Sequence, residues 1–528
     1  MEGIVDGARA GVAPARRRTE AAKRDMATIY SHDADRLMKQ RRYAEAETLL
    51  RPALRLRPDD ADILNMLGAA IWEQGRPSEA EHFFSRAHEI RPNDAAILNH
   101  LGLARWDQGR PADAADCYRR ALRLNPHLVD AQMNLGVVLS DLGEFDEALD
   151  CLRGVIRERP NMADGLQNMG MTLARLGRWN EALTYYDRAL SVNPDYAEVH
   201  RNRAYARLFL GDFERGWPEH EWRLKCRRHL GCNVERPYWR GERLDNKIIV
   251  LHFEQGYGDT LQFIRYAPLV KQRVGTVFVL CQPRLLRIVA RCPGVDLAFD
   301  GSSFAPHCDV HASLMSLPAL LGTTQATIPA RVPYLFNDPV VLDRWRSVLA
   351  GALGTDSSGG GEPWHGTAGG KPGRPFLVGV AWQGSPTHLN DHWRSFPLAK
   401  LLPLAKLPGV RLINLQVDHG LDQLRALHGQ LPIIELSSSP RDFIDTAAIV
   451  SQLDLVITPD TAVAHLSGGL GVPIWGALST VAEWRWMLDR EDSPWYPTMR
   501  LFRQTTLGDW EGVFNRMADA LRQVLVPR

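Results

Sequence analysis

In the stretch ITPDTAVAHLSGGLGVP, residues 457–473, an apolar run stops at Pro459, Asp460 and Thr461 and resumes as a small-residue segment carrying His465. A strand that exits into a helix start has this form. The N–H groups of Thr461, Ala462 and Val463 would then have no intrahelical partner. A helix N-terminus also carries partial positive charge, so the stretch suits a diphosphate. The small residues Ala462, Ala464, Gly468 and Gly469 permit close approach by a ligand or a neighbouring strand. Asp460 is unfavourable beside phosphate and better suited to capping the turn or bonding sugar hydroxyls. His465, one turn beyond Thr461, reads either as a ligand contact or as a buried histidine bonded to a carbonyl or to Asp460.

Two other stretches carry candidate chemistry. WQGSPTHLNDHWRSFPLAKL, residues 382–401, is a polar loop that begins near Gln383 and ends in Arg394 just before a helix. A guanidinium there could neutralise a leaving phosphate, or could cap its own loop. EQGYGDTLQF, residues 254–263, places Gly256 and Gly258 between a strand and its helix. The last glycine of the dinucleotide fingerprint is absent, which disfavours NAD. Asp259 is then either the cap of the helix or a general base for a hydroxyl proton.

These stretches lie in a half of the chain where strands and helices alternate. KIIVLHFE, TVFVLCQ, VDLAFD, FLVGVAW, VRLINLQ, PIIEL, DLVITPD and VPIWGAL read as strands, and DTLQFIRYAPLV and RDFIDTAAIVSQL as helices. DWEGVFNRMADALRQVL reads as a closing helix with Asp509 as its N-cap. Such alternation implies parallel sheets in two Rossmann-like lobes, with ligands beyond the carboxyl ends of the strands. The glycine- and proline-rich segment 355–375 cannot bury a core and reads as the linker between lobes. The loop 413–420, INLQVDHG, is a candidate reader of a nucleobase.

The first half is periodic. Gly68, Gly102, Gly136 and Gly170 are 34 residues apart, as are Ala80, Ala114, Ala148 and Ala182, and the prolines from Pro58 to Pro194. Helical spacing between these slots resembles the tetratricopeptide repeat, an array of helix pairs that stacks into a solenoid. Five units run from about Thr28 to Tyr196. A sixth keeps Ala204 and Gly216, has Arg228 in the proline slot, and is lined by Trp217, Trp222, Glu219 and Glu221. It is expected to cap the array and dock on the next domain. Asn134, Asn168 and Asn202 recur 34 apart. They read either as a ladder of amides for an extended peptide backbone or as helix-surface residues with local roles.

Bulk properties narrow the class. The chain has 528 residues, a formal net charge of +1 and 24% charged residues, which excludes a strongly basic nucleic-acid binder. No stretch approaches the length of a membrane span, and no apolar core follows the basic cluster at Arg16–Arg18. The seven scattered cysteines contain no C-x-x-C pair and fit a reducing, cytoplasmic location.

Taken together, GYGDTLQF, the loop ending in Arg394, and DTAVAHLSGGLGVP resemble the heptosyltransferase-like glycosyltransferases. With the repeats in front, the layout is similar to protein O-linked N-acetylglucosamine transferase and to bacterial tetratricopeptide-repeat glycosyltransferases. The resemblance implies an all-α tetratricopeptide solenoid followed by an α/β GT-B fold of two Rossmann-like lobes. It implies Asp259 as base and Gly256 and Gly258 in the acceptor-side loop. On the donor side it implies Gln383, Arg394, Asp460, Thr461, Ala462, Val463 and His465, and on the peptide side Asn134, Asn168 and Asn202. Relatives usually carry glycine where this chain has Ala462.

The implied reaction transfers a sugar from a nucleotide-sugar to a protein hydroxyl, such as one on flagellin or another surface protein, with inversion. No cofactor is implied. The D-x-D stretches, Asp33–Asp35 and Asp60–Asp62, fall in the repeats, so no metal site is expected in the lobes. The alternatives are a transferase that builds lipopolysaccharide or another glycan, and a peptide-binding adaptor without activity. The expected boundaries are a flexible 1–27, repeats over 28–230, a first lobe over 240–354, the linker 355–375 and a second lobe over 376–528.

Overall fold

The computed structural model describes residues 12–226, 236–302, 306–354, 374–388 and 390–526. Most of the expected linker 355–375, and Arg228, lie outside the described residues. The chain divides into two compact units, residues 1–173 with 184–194, and residues 174–183 with 195–528. Among the described residues no helix is long and apolar enough to cross a membrane.

The first unit is a tetratricopeptide solenoid of antiparallel helix pairs. Val12–Lys39 pairs with Tyr43–Leu56, Ala61–Trp72 with Pro77–Ile90, Ala95–Asp107 with Pro111–Leu124, and Val129–Leu142 with Phe145–Glu158. The first helix has a helical backbone from Val12, inside the segment 1–27 expected to be flexible. The glycine slot follows from close packing. A Cβ on Gly68 would lie 2.6 Å from the Phe84 ring, and one on Gly102 would lie 2.5 Å from the Tyr118 ring. Asp60 and Asp94 cap their helices by accepting from the two amides that follow each helix start. The Asp60–Asp62 pair is thereby occupied, Asp60 in a cap and Asp62 in an ion pair with Arg91 at 2.6 Å. Successive repeats are also tied by charge, as in Arg76 to Glu47 at 2.8 Å.

Beyond residues 174–183, the second unit contains the last repeat, Ala197–Phe209 and Phe213–His220, followed by a short turn, Glu221–Lys225. Among the described residues, ten parallel strands follow in two sheets. The first sheet holds β1 (Leu244–His252), β2 (Val274–Leu280), β3 (Leu297–Phe299) and β4 (Val310–Ser313), in the order β3-β2-β1-β4. The second holds β5 (Phe376–Val380), β6 (Val410–Asn414), β7 (Ile433–Ile434), β8 (Leu455–Thr458), β9 (Ile474–Leu478) and β10 (Met499–Arg503), in the order β10-β9-β8-β5-β6-β7. All pairings are parallel, so the carboxyl ends of each sheet's strands share one edge. Strands β4 and β10, the outer strands at one edge of each sheet, are additions to the strands expected from sequence.

Two segments cross the expected lobe boundaries. Helix Pro339–Ala352 precedes the linker, yet Val341, Trp345 and Leu349 are buried with Leu377 and Ile413 of the second sheet. Segment 482–496 follows β9, yet Trp484, Trp486 and Trp495 share a core with Leu251, Leu261 and Phe263 of the first lobe. The boundaries 240–354 and 376–528 are corrected accordingly: each lobe's core is completed by chain from beyond its nominal range. The last repeat joins that first core through Phe213 and Trp217, with the Trp217 and Trp484 rings 5.1 Å apart. Trp222 does not take part in this docking and stacks instead on His200 of its own repeat.

Candidate active site

Strand β1 ends at His252, and a short loop leads through Gly256 into helix Tyr257–Phe263. Asp259 is both cap and candidate base: its Oδ2 accepts from the Gly256 N–H at 3.0 Å. Gly258 explains how the two lobes meet here. A Cβ at that position would come 2.7 Å from Cδ2 of His465, so the glycine lets the histidine ring lie against the loop.

Strand β8 ends at Thr458, and Thr461, in extended conformation, is the N-cap of helix Ala462–Leu470. The Thr461 hydroxyl is engaged with Thr458 at 2.8 Å and does not cap the helix. The amides of Thr461, Ala462 and Val463 accordingly have no partner among the described residues. Arg394 stands at this helix start, with Nη1 donating to the Asp460 carbonyl at 3.1 Å and Nε to Asp391 at 3.1 Å. Its place depends on Gly384, where a Cβ would lie 2.4 Å from the Arg394 guanidinium. The side chain of Asp460 is largely buried, 3.9 Å from Nε2 of His465.

His465 is buried and its Nδ1 is hydrogen-bonded to the Tyr496 hydroxyl at 2.8 Å, with the Trp486 ring stacked alongside. Burial, reinforced by Arg485 and Arg265, lowers its pKa well below the usual imidazole range, so the ring is neutral. Of the two readings of His465, the buried one matches this geometry, with Tyr496 as the partner rather than a carbonyl.

Gln383 lines a pocket of about 590 Å³ together with Thr387, His388, Phe396 and Gln423. The loop 413–420 has a different role from base reading at its centre: Gln416 accepts from the Trp382 and Gln383 amides and donates to the Gln383 carbonyl. It fixes the backbone of the loop that begins at Gln383. On the repeats, Asn134 donates to Asn99 at 3.0 Å, and Asn65 bonds His100 at 2.8 Å. Asn134 is thus already engaged within the protein. The Asn168 side chain makes no hydrogen bond among the described residues, and Nδ2 of Asn202 is buried without a partner.

The residue missed from sequence is Arg485. Its Nη2 pairs with Asp259 Oδ1, its Nε donates to Gln262 at 2.6 Å, and its Nη1 lies 3.5 Å from Glu483. The signal available was the segment Glu483-Trp484-Arg485-Trp486, a charged pair interleaved with aromatics. Burial pushes the Asp259 pKa up; Arg485 and the Gly256 N–H pull it down, and Asp460 and Glu254 add to the rise, which is the net direction. A carboxylate of raised pKa is a better proton acceptor near neutrality than an ordinary one.

The fold and site therefore define a protein of two parts: a tetratricopeptide solenoid suited to binding protein or peptide, and an α/β unit whose lobes bring Asp259, Arg394, Asp460 and Arg485 together. Tetratricopeptide repeat families match residues 34–95, 100–163 and 163–196. Protein FlbA of Caulobacter vibrioides is 27% identical over 356 residues, covering 62% of this chain and 55% of that protein. The chain thus spans about half the length of this relative. The aligned share exceeds what the repeats occupy, so the likeness runs on into the α/β unit. Among solved structures, YrrB, described as a TPR protein with an unusual peptide-binding site, is 25% identical and covers 32% of this chain and 88% of its own, with a TM-score of 0.28. MamA is also 25% identical, covering 33% of this chain and 95% of its own, with a TM-score of 0.29.

Proposed function

We propose that this chain is a glycosyltransferase that moves a sugar from a nucleotide-sugar to a hydroxyl of a protein held by the repeats. The observation that carries this reading is the convergence of a first-lobe carboxylate, Asp259, with a second-lobe helix start and guanidinium, Thr461 and Arg394. In the proposed step the acceptor hydroxyl gives its proton to Asp259 while its oxygen bonds the anomeric carbon. The bond from that carbon to the diphosphate oxygen breaks, and its electron pair leaves with the nucleoside diphosphate. Attack opposite the leaving group inverts the carbon.

Charge builds on the departing phosphate. The free amides at 461–463 and Arg394 are placed to oppose it, and fixed dipoles of this kind act strongly in a site shielded from water. A guanidinium and a helix dipole at that position let the step proceed without a metal ion. His465, neutral and held by Tyr496, orders the helix start.

The test is to incubate the protein with radiolabelled nucleotide-sugars and cell extract. Label in a protein band is expected. Label only in lipid or polysaccharide would move the function to glycan building, with the repeats serving assembly. Absence of transfer, together with no nucleoside-diphosphate binding in calorimetry, would leave a peptide-binding adaptor.

A further inference from the structure

Arg485 reaches the first lobe from a short turn, Trp484–Trp486, that lies beyond β9 in the chain. Its partners Asp259 and Gln262 are three residues apart on helix Tyr257–Phe263, so one planar guanidinium spans one face of that helix. The group is 7% exposed and its cation lies 4.5 Å from the centre of the Trp484 ring, which fixes it in place. The Asp259 carboxylate is thereby held at both oxygens, Oδ2 by the Gly256 amide and Oδ1 by Arg485.

We propose that Arg485 is a positioning residue for Asp259, setting the orientation and the ionised state of the carboxylate that accepts the acceptor's proton. This role rests on the glycosyltransferase reading. The groups facing Asp259 make the assignment specific. Glu254 on its own loop and Asp460 from the second lobe oppose its negative charge. Glu483 and His388 also face it, and His465 lies against Gly258. Among these described neighbours, Arg485 is the cation in direct contact. Without it, a buried carboxylate among other carboxylates takes up a proton and can no longer accept one.

The test is the pH profile of kcat/KM for sugar transfer by the full chain, in wild type, Arg485→Met and Arg485→Lys. In Arg485→Met the acid limb is expected to move up by about one pH unit or more, with roughly tenfold loss at neutral pH. Activity should recover towards the wild-type plateau as pH rises. Arg485→Lys keeps a cation but loses the two-pronged contact, so its limb should fall between the other two. An unmoved limb, or a loss equal at every pH, overturns the positioning role while leaving the transferase reading intact. A wild type that turns over no nucleotide-sugar removes both. If Arg485→Met does not fold, an unshifted limb in Arg485→Lys is the overturning result.

Discussion

Arg223, in the turn that ends the last repeat, donates through Nε and Nη2 to both oxygens of Glu254, at 3.0 and 2.6 Å. The side chains are 3% and 1% exposed, and the same Nη2 also reaches the Ser316 hydroxyl at 2.6 Å. Glu254 precedes Gly256 by two residues. The loop that presents Asp259 is therefore anchored on a repeat helix pair as well as on its own sheet.

Breaking such a pair on one side leaves a buried charge with its main partner removed. Arg223→Met should lower the stability of the unit by about 3–5 kcal/mol, read from urea denaturation. Replacing both partners, Arg223→Met with Glu254→Leu, should restore most of that loss, because the fully buried pair is removed together and only the partly exposed Glu221 loses a partner. A double variant as unstable as the sum of the two single variants would show that the two side chains act independently.

Gly256 and Gly258 look alike in sequence and differ in the structure. A Cβ on Gly258 meets the buried His465 ring at 2.7 Å, whereas one on Gly256 meets only Asp259 Oδ2 at 3.7 Å, an ordinary contact. Gly258→Ala should therefore cost about 1–3 kcal/mol through overpacking, and should weaken nucleotide binding by displacing the helix start at Thr461. Gly256→Ala should stay within about 0.5 kcal/mol of wild type. Thermal melts with and without nucleoside diphosphates measure both effects.

The contrast marks what the sequence could and could not carry. The repeats are legible because each slot answers to a contact inside one repeat, as Gly68 does to Phe84. The turn at Asp460 is legible because a strand, its exit and a helix start are local in chain. Arg485 is not, since its meaning lies in a carboxylate 226 residues earlier. Helix Pro339–Ala352 falls on the unexpected lobe for the same reason: its amphipathic pattern shows a buried face without naming the sheet that buries it. Strands β4 and β10 escape a sequence reading because each is short and carries polar or charged residues, as in MRLFR at the edge of the second sheet.

The solenoid has its own pH signature. Glu81 is bonded by Arg110, Gln108 at 2.9 Å and Arg105 at 3.1 Å. The bond to Arg110 is the main cause that holds its pKa down, from 4.5 to about 2, against the opposing effect of burial. A carboxyl with a lowered folded pKa contributes stability that is present above pH 4.5 and lost as pH falls towards 2. Glu81→Gln should therefore be less stable than wild type at pH 7 and close to it near pH 2. The difference in urea midpoint followed by helical circular dichroism should shrink steadily as the solution is acidified across that window.

In the proposed reaction Asp259 and Arg394 stand at opposite ends of one bond rearrangement, so their losses should separate cleanly. Asp259→Asn keeps the size of the side chain and an oxygen for the Gly256 amide, but an amide cannot take the acceptor's proton. Transfer should fall by about 10²–10⁴-fold. Nucleoside-diphosphate affinity should stay within about twofold, because Asp259 approaches the second lobe through Arg485 and not through the helix start at Thr461. Arg394→Ala removes a cation from that helix start, and the loss of one charged hydrogen bond of about 1.5–3 kcal/mol corresponds to a roughly 10–150-fold weaker complex. Calorimetry with UDP, GDP, ADP and CDP on both variants reads affinity, and single-turnover transfer at saturating donor reads the chemical step. If Asp259→Asn lost donor affinity as steeply as Arg394→Ala, the carboxylate would be holding the donor, and the base would have to be sought elsewhere in the same site.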